Sequence, residues 1–315
     1  MSDPRILSLG SINADFHCQT DRPLEAGETL LAHDLRRRGG GKAANVAFLA
    51  HRLGLQAMLL GRVGDDDLAE QALAPLRRAG LDLSHVAVAR HRATAVSMIA
   101  VPKDGKKSIV LAANANDGWD EDTIRSMLDV IRTVSSSALL VADFEADAGA
   151  VYRAMDAAHE RHLRIVLDPA PATRAIFAVC HALTPDAREA AALTGVDTHG
   201  VEGAARAALS LAQSGPAIAC VKLDDGGTVM AYGSGKLGHI PSVPVDVVDA
   251  TGAGDAFTSA LAVALAEGRD APQAALFATA ASHLAVTAYR SQESYPDRGT
   301  LDAFLPRLAC HDIRL

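Results

Sequence analysis

The sequence predicts an α/β fold in which a central, mostly parallel sheet is sandwiched by helices and carries a small β-sheet lid. Three observations predict it. Short apolar runs alternate with Ala-rich stretches of helical periodicity, glycines follow several of those stretches, and two segments in the first third of the chain alternate with period two and contain turns. The 315 residues suffice for a large core. The reading is one α/β domain over residues 1–315, with the lid formed by about 14–38 and 87–116.

Taken in order, Ile6–Leu9 is the first strand, and Ala14–Arg38 is the first lid region. Ala43–Leu53 and Asp66–Ala79 repeat apolar residues at three and four, and Gly54 and Gly80 stop them. Ala87–Asn116 is the second lid region, with a turn at Lys103-Asp104-Gly105-Lys106. Helical Asp120–Val134, Ala148–His162, Ala187–Leu193 and Val201–Ser214 then alternate with strands at Ala138–Ala142, Arg164–Leu167 and Ala217–Leu223. Gly233-Ser234-Gly235-Lys236-Leu237-Gly238 matches G-x-G-x-x-G, yet it runs into Pro241 and Pro244 rather than a helix. It therefore reads as a hairpin turn and not as a dinucleotide fingerprint. Strand-like Val243–Val248 and helices Ala256–Glu267 and Pro272–Val286 complete the series.

Composition excludes several function classes. A formal charge of −8, with no Lys/Arg run longer than Arg36-Arg37-Arg38, argues against nucleic acid as a partner. No apolar run reaches the ~20 residues of a membrane helix, and the polar start lacks a signal-peptide pattern. Cys18, Cys180, Cys220 and Cys310 form no C-x-x-C pair. Reduced thiols and a cytoplasmic location are the expectation. The twelve histidines show no metal-ligand spacing, and Gly39–Lys42 lacks the leading glycine and Ser/Thr of a Walker A loop.

The sharpest motif is Asp249-Ala250-Thr251-Gly252-Ala253-Gly254-Asp255-Ala256-Phe257, which opens an Ala-rich helix. Its glycines permit a tight turn and close ligand approach. At a helix start the amides of Gly252, Ala253, Gly254 and Asp255 converge, and with the helix dipole they form an anion hole suited to a phosphoryl group in transfer. Asp255 stands where an N-cap would. A carboxylate beside an anion hole is electrostatically costly unless it acts there, and accepting a hydroxyl proton as phosphoryl arrives is such a role.

This motif, together with Gly39-Gly40-Gly41-Lys42-Ala43-Ala44-Asn45, resembles the two signatures of the PfkB family of carbohydrate kinases, in that order and about two hundred residues apart. Similarity to the family's ribokinase-like members extends over nearly the whole length. It includes Gly10-Ser11-Ile12-Asn13-Ala14-Asp15, Gly27-Glu28-Thr29 and Asp168-Pro169-Ala170-Pro171-Ala172. The resemblance implies a ribokinase-like fold and an ATP-dependent sugar kinase, with Asp255 as general base and the Gly252, Ala253 and Gly254 amides around the transferred group. It implies sugar binding by Asn13, Asp15, Gly41, Lys42, Asn45 and Glu145. For the nucleotide it points to Asp186, Lys222, Asp224, Gly227, Thr279 and His283, with Glu189 holding hydrated Mg²⁺. A candidate K⁺ site comprises Asp249, Thr251, Ala285, Ala288, Arg290 and Ser294.

Departures from the family pattern are Asp186 in place of Asn, Asp224 and Arg290 in place of Gly, and Ala43 where Gly is frequent. Ribose, giving ribose 5-phosphate, is the leading expected substrate. Another pentose, a ketohexose or a nucleoside is the alternative within the class, and a non-catalytic sugar or nucleotide sensor the alternative outside it. Open lid edges suggest a homodimer formed through the lid.

Overall fold

The computed structural model describes residues 5–103, 107–171, 177–288 and 292–315. A ten-stranded sheet runs through the molecule, with Ile6–Leu9 third from one edge. On one side Ile6–Leu9 pairs in parallel with Ala57–Gly64 and on the other with Leu139–Asp143. Arg164–Asp168, Ala182–Leu183 and Ile218–Lys222 continue the parallel series. Thr228–Tyr232, Lys236–Ile240 and His311–Ile313 close that edge antiparallel. The Gly233-Ser234-Gly235 link is a hairpin turn, as its sequence setting predicted.

Both faces are buried, which is why the strands are apolar without alternation. Ile6, Leu139 and Val141 face one core with helices Lys42–Arg52, Ala253–Ala266 and Ala271–Ala285. Leu7, Leu140 and Ala142 face a second core with Glu121–Thr133, Ala148–Glu160 and Gly200–Gln213. Ala253–Ala266 and Ala271–Ala285 are buried on nearly every side, so alanine rather than an amphipathic stripe fills them. Phe257 and Phe277 anchor the pair, each at about 2–3 kcal/mol of apolar burial.

A four-stranded sheet stands apart. Asn13–Thr20 pairs antiparallel with Asp34–Gly40, Ala95–Pro102 pairs antiparallel with Ser108–Ala112, and parallel pairing of Asn13–Thr20 with Ala95–Pro102 joins the two hairpins. This is the lid sheet, with narrower bounds than the sequence implied. Val86–Ala89 pairs instead with Gly61–Gly64 in the large sheet, so residues 87–89 leave the lid span of 87–116. In the expected turn at 103–106, residues 104–106 lie outside the described residues.

Three further readings change. Val243–Val248 forms no strand, since Pro244 has no N–H for a ladder. The last long Ala-rich helices start earlier than expected, at Ala253 and Ala271. Strand Ala57–Gly64 escaped notice because Arg62 interrupts its apolar run. That guanidinium is buried and donates to the carbonyls of Ala115, Asp117 and Gly118 at 2.7–2.8 Å. Among the described residues no helix is long and apolar enough to cross a membrane, and all four cysteines are free thiols.

Candidate active site

Chain order places the site. From Ile6–Leu9 the chain builds outward to Ala57–Gly64 and Val86–Ala89, and later returns to add Leu139–Asp143 on the opposite side. In open α/β sheets the crevice beyond the carboxyl ends at such a reversal is where ligands bind. Asp143, Asp168 and Lys222 end their strands there. A cavity of about 780 Å³ opens between these strand ends and the lid sheet.

At one end the polar groups are held before any ligand arrives. Asn13 Nδ2 donates to Ser97 Oγ at 3.1 Å, and Asn13 Oδ1 accepts from Asn116 Nδ2 at 2.8 Å. Ser11 Oγ donates to Glu145 Oε2 at 3.2 Å and accepts from Lys42 N–H at 2.8 Å. Asp143 accepts from the amides of Ser11 and Glu145. Burial, then the nearby Glu145, pushes the Asp143 carboxyl well above its ordinary range. Burial raises Glu145 to about 7 against the pull of Lys42, with Asp255 and Asp168 adding to the rise. Asp15 is 5% exposed and lines the cavity, yet its Oδ1 has no hydrogen-bond partner among the described residues. Gly40 makes room for that carboxylate, since a Cβ there would lie 2.0 Å from Asp15 Oδ2. Gly41 caps helix Lys42–Arg52 and lines the same wall.

The middle of the cavity is the start of helix Ala253–Ala266. Its N-cap is Gly252 at φ 79°, where a Cβ would meet Tyr295 Oη at 2.6 Å, so glycine is required twice over. Ala256 N–H bonds Gly252 O at 2.9 Å, and the amides ahead of it are those a helix leaves without intrahelical carbonyls. Asp255 lies in this first turn rather than at the N-cap, because the helix begins two residues before it. Asp255 Oδ2 accepts from Asn45 Nδ2 at 2.7 Å, and its Oδ1 faces Lys42 Nζ at 3.6 Å.

Lys42 Nζ also lies 3.4 Å from Asp168 Oδ2, which in turn lies 3.6 Å from Lys222 Nζ. Charges therefore alternate across the site. Burial works against charge on Lys42, but Asp168, Asp255 and Glu145 outweigh it and hold the ammonium well above its ordinary range. Burial likewise opposes ionisation of Asp168, and Lys222 and Lys42 reverse that, keeping it below the usual carboxylate value. A Cβ on Gly254 would come within 3.3 Å of Lys222 Nζ, which places that ammonium over the helix start.

The other end is built differently. Asp186 caps helix Ala187–Thr194, its Oδ1 accepting from Glu189 N–H at 2.7 Å while Glu189 Oε2 accepts from Asp186 N–H at 2.8 Å. Both line the cavity. The D-x-x-E spacing is thus a capping box as well as a carboxylate pair. Burial, then Asp168, raises the Glu189 carboxyl. Asp224 lines the cavity from an exposed loop. His283 also lines it. Its Nε2 accepts from Val243 N–H at 3.2 Å and its Nδ1 donates to Thr279 O at 2.9 Å, a pattern that only the neutral ring satisfies. Burial lowers its pKa to match.

Two expected nucleotide residues fall outside the wall. Thr279 lies one helical turn below His283, fully buried, donating to Ala275 O and paired with the Thr228 hydroxyl. Gly227 is buried behind Gly226, its N–H donating to Asp225 Oδ1 at 2.8 Å.

Asp249 Oδ1 accepts from Thr251 N–H at 2.9 Å, whereas Asp249 Oδ2 and Thr251 Oγ1 are buried without a hydrogen-bond partner among the described residues. Val286 O accepts from the amides of Val248 and Asp249, which brings the end of helix Ala271–Ala285 and the following residues beside them. Ala285 is buried, Ala288 and Ser294 are half-buried, none of the three lines the cavity, and Arg290 lies outside the described residues.

Sequence reasoning missed Lys107, Asp168 as a site residue, and Gln292. Asp168 had a readable signal, a carboxylate closing an apolar strand. Lys107 lines the cavity from the lid sheet, and its Nζ reaches Ala250 O at 3.4 Å. Burial lowers its pKa against the opposing pull of Asp255 and Asp249. Gln292 donates from Nε2 to Asn45 Oδ1 at 3.1 Å. Neither carries a local sequence signal, because each reaches the site through the tertiary fold.

Residues 3–298 match the pfkB family of carbohydrate kinases. The ribokinase of Haemophilus influenzae is 30% identical over 300 residues, covering 94% of this chain and 97% of its own. The ribokinase of Bacillus subtilis is 33% identical over 304 residues, covering 95% and 99%. The structure of Arabidopsis thaliana ribokinase complexed with ribose and ATP superposes with a TM-score of 0.82 at 26% identity, covering 96% of this chain and 99% of that one.

Proposed function

Because the chain belongs to the pfkB family of carbohydrate kinases, and is on that ground an ATP-dependent sugar kinase, we infer that its acceptor is D-ribose and its product ribose 5-phosphate. The observation that carries this reading is one cavity holding both an unpartnered buried carboxylate oxygen, on Asp15, and a second carboxylate, Asp255, at a helix start. A buried acceptor without a donor is costly, and sugar hydroxyls are donors that relieve it. Ile99, Ile109 and Leu111 of the lid sheet line the cavity and offer an apolar cover for the carbon face of a small sugar. Relatives at 30% and 33% identity are ribokinases.

In the mechanism we assign, Asn13, Asp15 and Glu145 orient the sugar. Near neutral pH the raised Glu145 is in part protonated and can donate to a sugar oxygen as well as accept. Asp255 Oδ1 takes the proton of the primary hydroxyl. The freed oxygen forms a bond to the γ-phosphorus as the bond from that phosphorus to the bridging oxygen of ADP breaks, and ADP leaves with the electron pair. The amides of Gly252, Ala253 and Gly254, with Lys42 and Lys222, face the developing charge. Asp186, Asp224 and His283 border the nucleotide end.

Two ions fit the residues present. No cluster of three or more His, Cys, Asp or Glu among the described residues could hold a metal alone. Glu189 and Asp186, a carboxylate pair in the cavity wall, would suit a Mg²⁺ completed by water and phosphate oxygens, which would neutralise phosphate charge. The orphaned Asp249 Oδ2 and Thr251 Oγ1 fit a monovalent cation beside the helix start. We also read the chain as a homodimer formed through the lid sheet, whose outer residues Leu35, Met98 and Val110 are exposed; light scattering tests this.

An ADP-release assay with ribose, deoxyribose, fructose and a nucleoside, with and without K⁺, tests the assignment. Ribose is expected to give the highest kcat/KM. Faster turnover of the nucleoside or fructose would replace ribose, and no turnover with any acceptor would remove the sugar assignment.

A further inference from the structure

We propose that Gln292 is a positioning residue for phosphoryl transfer, acting through Asn45 to fix the orientation of the Asp255 carboxylate. The inference rests on the reading of Asp255 as the proton acceptor. Gln292 is 1% exposed and Asn45 5% exposed, so neither amide can exchange its partners for water. Gln292 Nε2 donates to Asn45 Oδ1 at 3.1 Å, and Asn45 Nδ2 donates to Asp255 Oδ2 at 2.7 Å.

The direction of this relay follows from donor and acceptor inventory. An ionised carboxylate only accepts, so Asn45 must turn its NH₂ toward Asp255, and its carbonyl then points away and needs a donor. Gln292 supplies that donor. With the NH₂ of Gln292 removed, Asn45 Oδ1 is left a buried acceptor without its donor, and the contact to Asp255 Oδ2 alone then holds the amide. The hold on Asp255 Oδ2, which leaves Oδ1 toward Lys42 and the cavity, would be loosened.

The same short segment holds the helix start. Gln292 O accepts from Tyr295 N–H at 3.2 Å, and Tyr295 Oη donates to Gly252 O at 3.1 Å. Tyr295 is 1% exposed and packs on Phe48, one turn along the helix that carries Asn45. One short turn, through its buried Gln292 and the buried Tyr295 that follows, thus sets the acceptor carboxylate and the anion-hole loop. Both of Asn45's functional ends are engaged in the relay, so its place in the cavity wall serves Asp255 before it serves the sugar.

The test is a mutant cycle read by steady-state kinetics, with circular dichroism to confirm folding. Gln292→Met and Gln292→Leu each remove the donor without adding a charge or a new donor. Each is expected to lower kcat by about tenfold with KM for ATP within about twofold. Asn45→Ala is expected to cost about a hundredfold, and Gln292→Met adds nothing further in the Asn45→Ala background, because the glutamine acts only through the asparagine. A purely structural glutamine would instead give multiplied losses in the double variant. Multiplied losses, or wild-type kcat in a folded Gln292 variant, overturn the relay. Asp255→Asn is measured alongside: if it turns over normally, the proton-acceptor reading fails, whereas an inactive Asp255→Asn with wild-type Gln292 variants removes the relay alone.

Discussion

The two ends of the cavity are made of different material. At the acceptor end, Asn13, Asp15 and Glu145 are buried or nearly so, and Asn13 and Glu145 are bonded through Ser97, Asn116 and Ser11. At the donor end, Asp224, Asp225 and Gly226 sit on an exposed loop, and Val243–Val247 follows a path with no ladder. A group locked by buried hydrogen bonds punishes a wrong ligand by leaving a partner unpaired, whereas a solvated loop lets water replace what is lost. On the assignment we propose, buried hydrogen bonds fix the acceptor pocket, while the 224–226 loop at the nucleotide end is left to solvent.

The largest expected effect lies where the two ends meet. Asp255→Asn keeps the shape but cannot take a proton, and it is expected to lower kcat by about 10³-fold. Isothermal titration should find sugar and nucleotide affinity within about threefold of wild type. Next comes the acceptor end. Asp15→Asn puts an NH₂ where a buried carboxylate accepts, and is expected to lower kcat/KM for ribose by about a hundredfold with KM for ATP nearly unchanged. Equal losses for both substrates would break the contrast between the ends.

A third prediction uses pH. Glu145 stands at about 7 in the folded protein against an ordinary 4.5. Between those values the folded state keeps a proton the unfolded chain has released, so stability falls as pH rises through the window. Glu145→Gln has no such titration. From pH 5 to pH 8, denaturant unfolding should show wild type losing on the order of 2 kcal/mol relative to the variant. Parallel profiles for the two proteins would mean that Glu145 is charged throughout and that the acceptor end is wetter than its burial suggests.

The contrast also explains what could be read in advance. The large sheet was legible because Ile6–Leu9, Leu139–Asp143 and Arg164–Asp168 are apolar runs separated by periodic helices. The helix start at Gly252–Asp255 was legible because two glycines and an acid sit within four residues. Lid bounds were not, since Val86–Ala89 and Ala95–Pro102 are similar apolar runs and only pairing assigns them to different sheets. The family resemblance named Thr279 together with His283, but Thr279 does not line the cavity, and its hydroxyl is spent inside the core. Lys107 and Gln292 reach the centre from distant segments, a fact written in no local pattern.

The smallest effect belongs to Asp224. Where relatives of this type are expected to carry glycine, this chain sets a carboxylate at the mouth of the nucleotide end. Two forces bear on it. Its charge opposes that of incoming phosphates, and its exposure lets water and salt screen the opposition. At physiological ionic strength screening extends about 8 Å, so the repulsion reaches phosphate only at short range. Asp224→Gly is therefore expected to lower KM for ATP by no more than about threefold, with kcat unchanged, and to lose even that difference in high salt. A tenfold change that salt does not erase would show a fixed contact at Asp224, and the donor end would then be as closely built as the acceptor end.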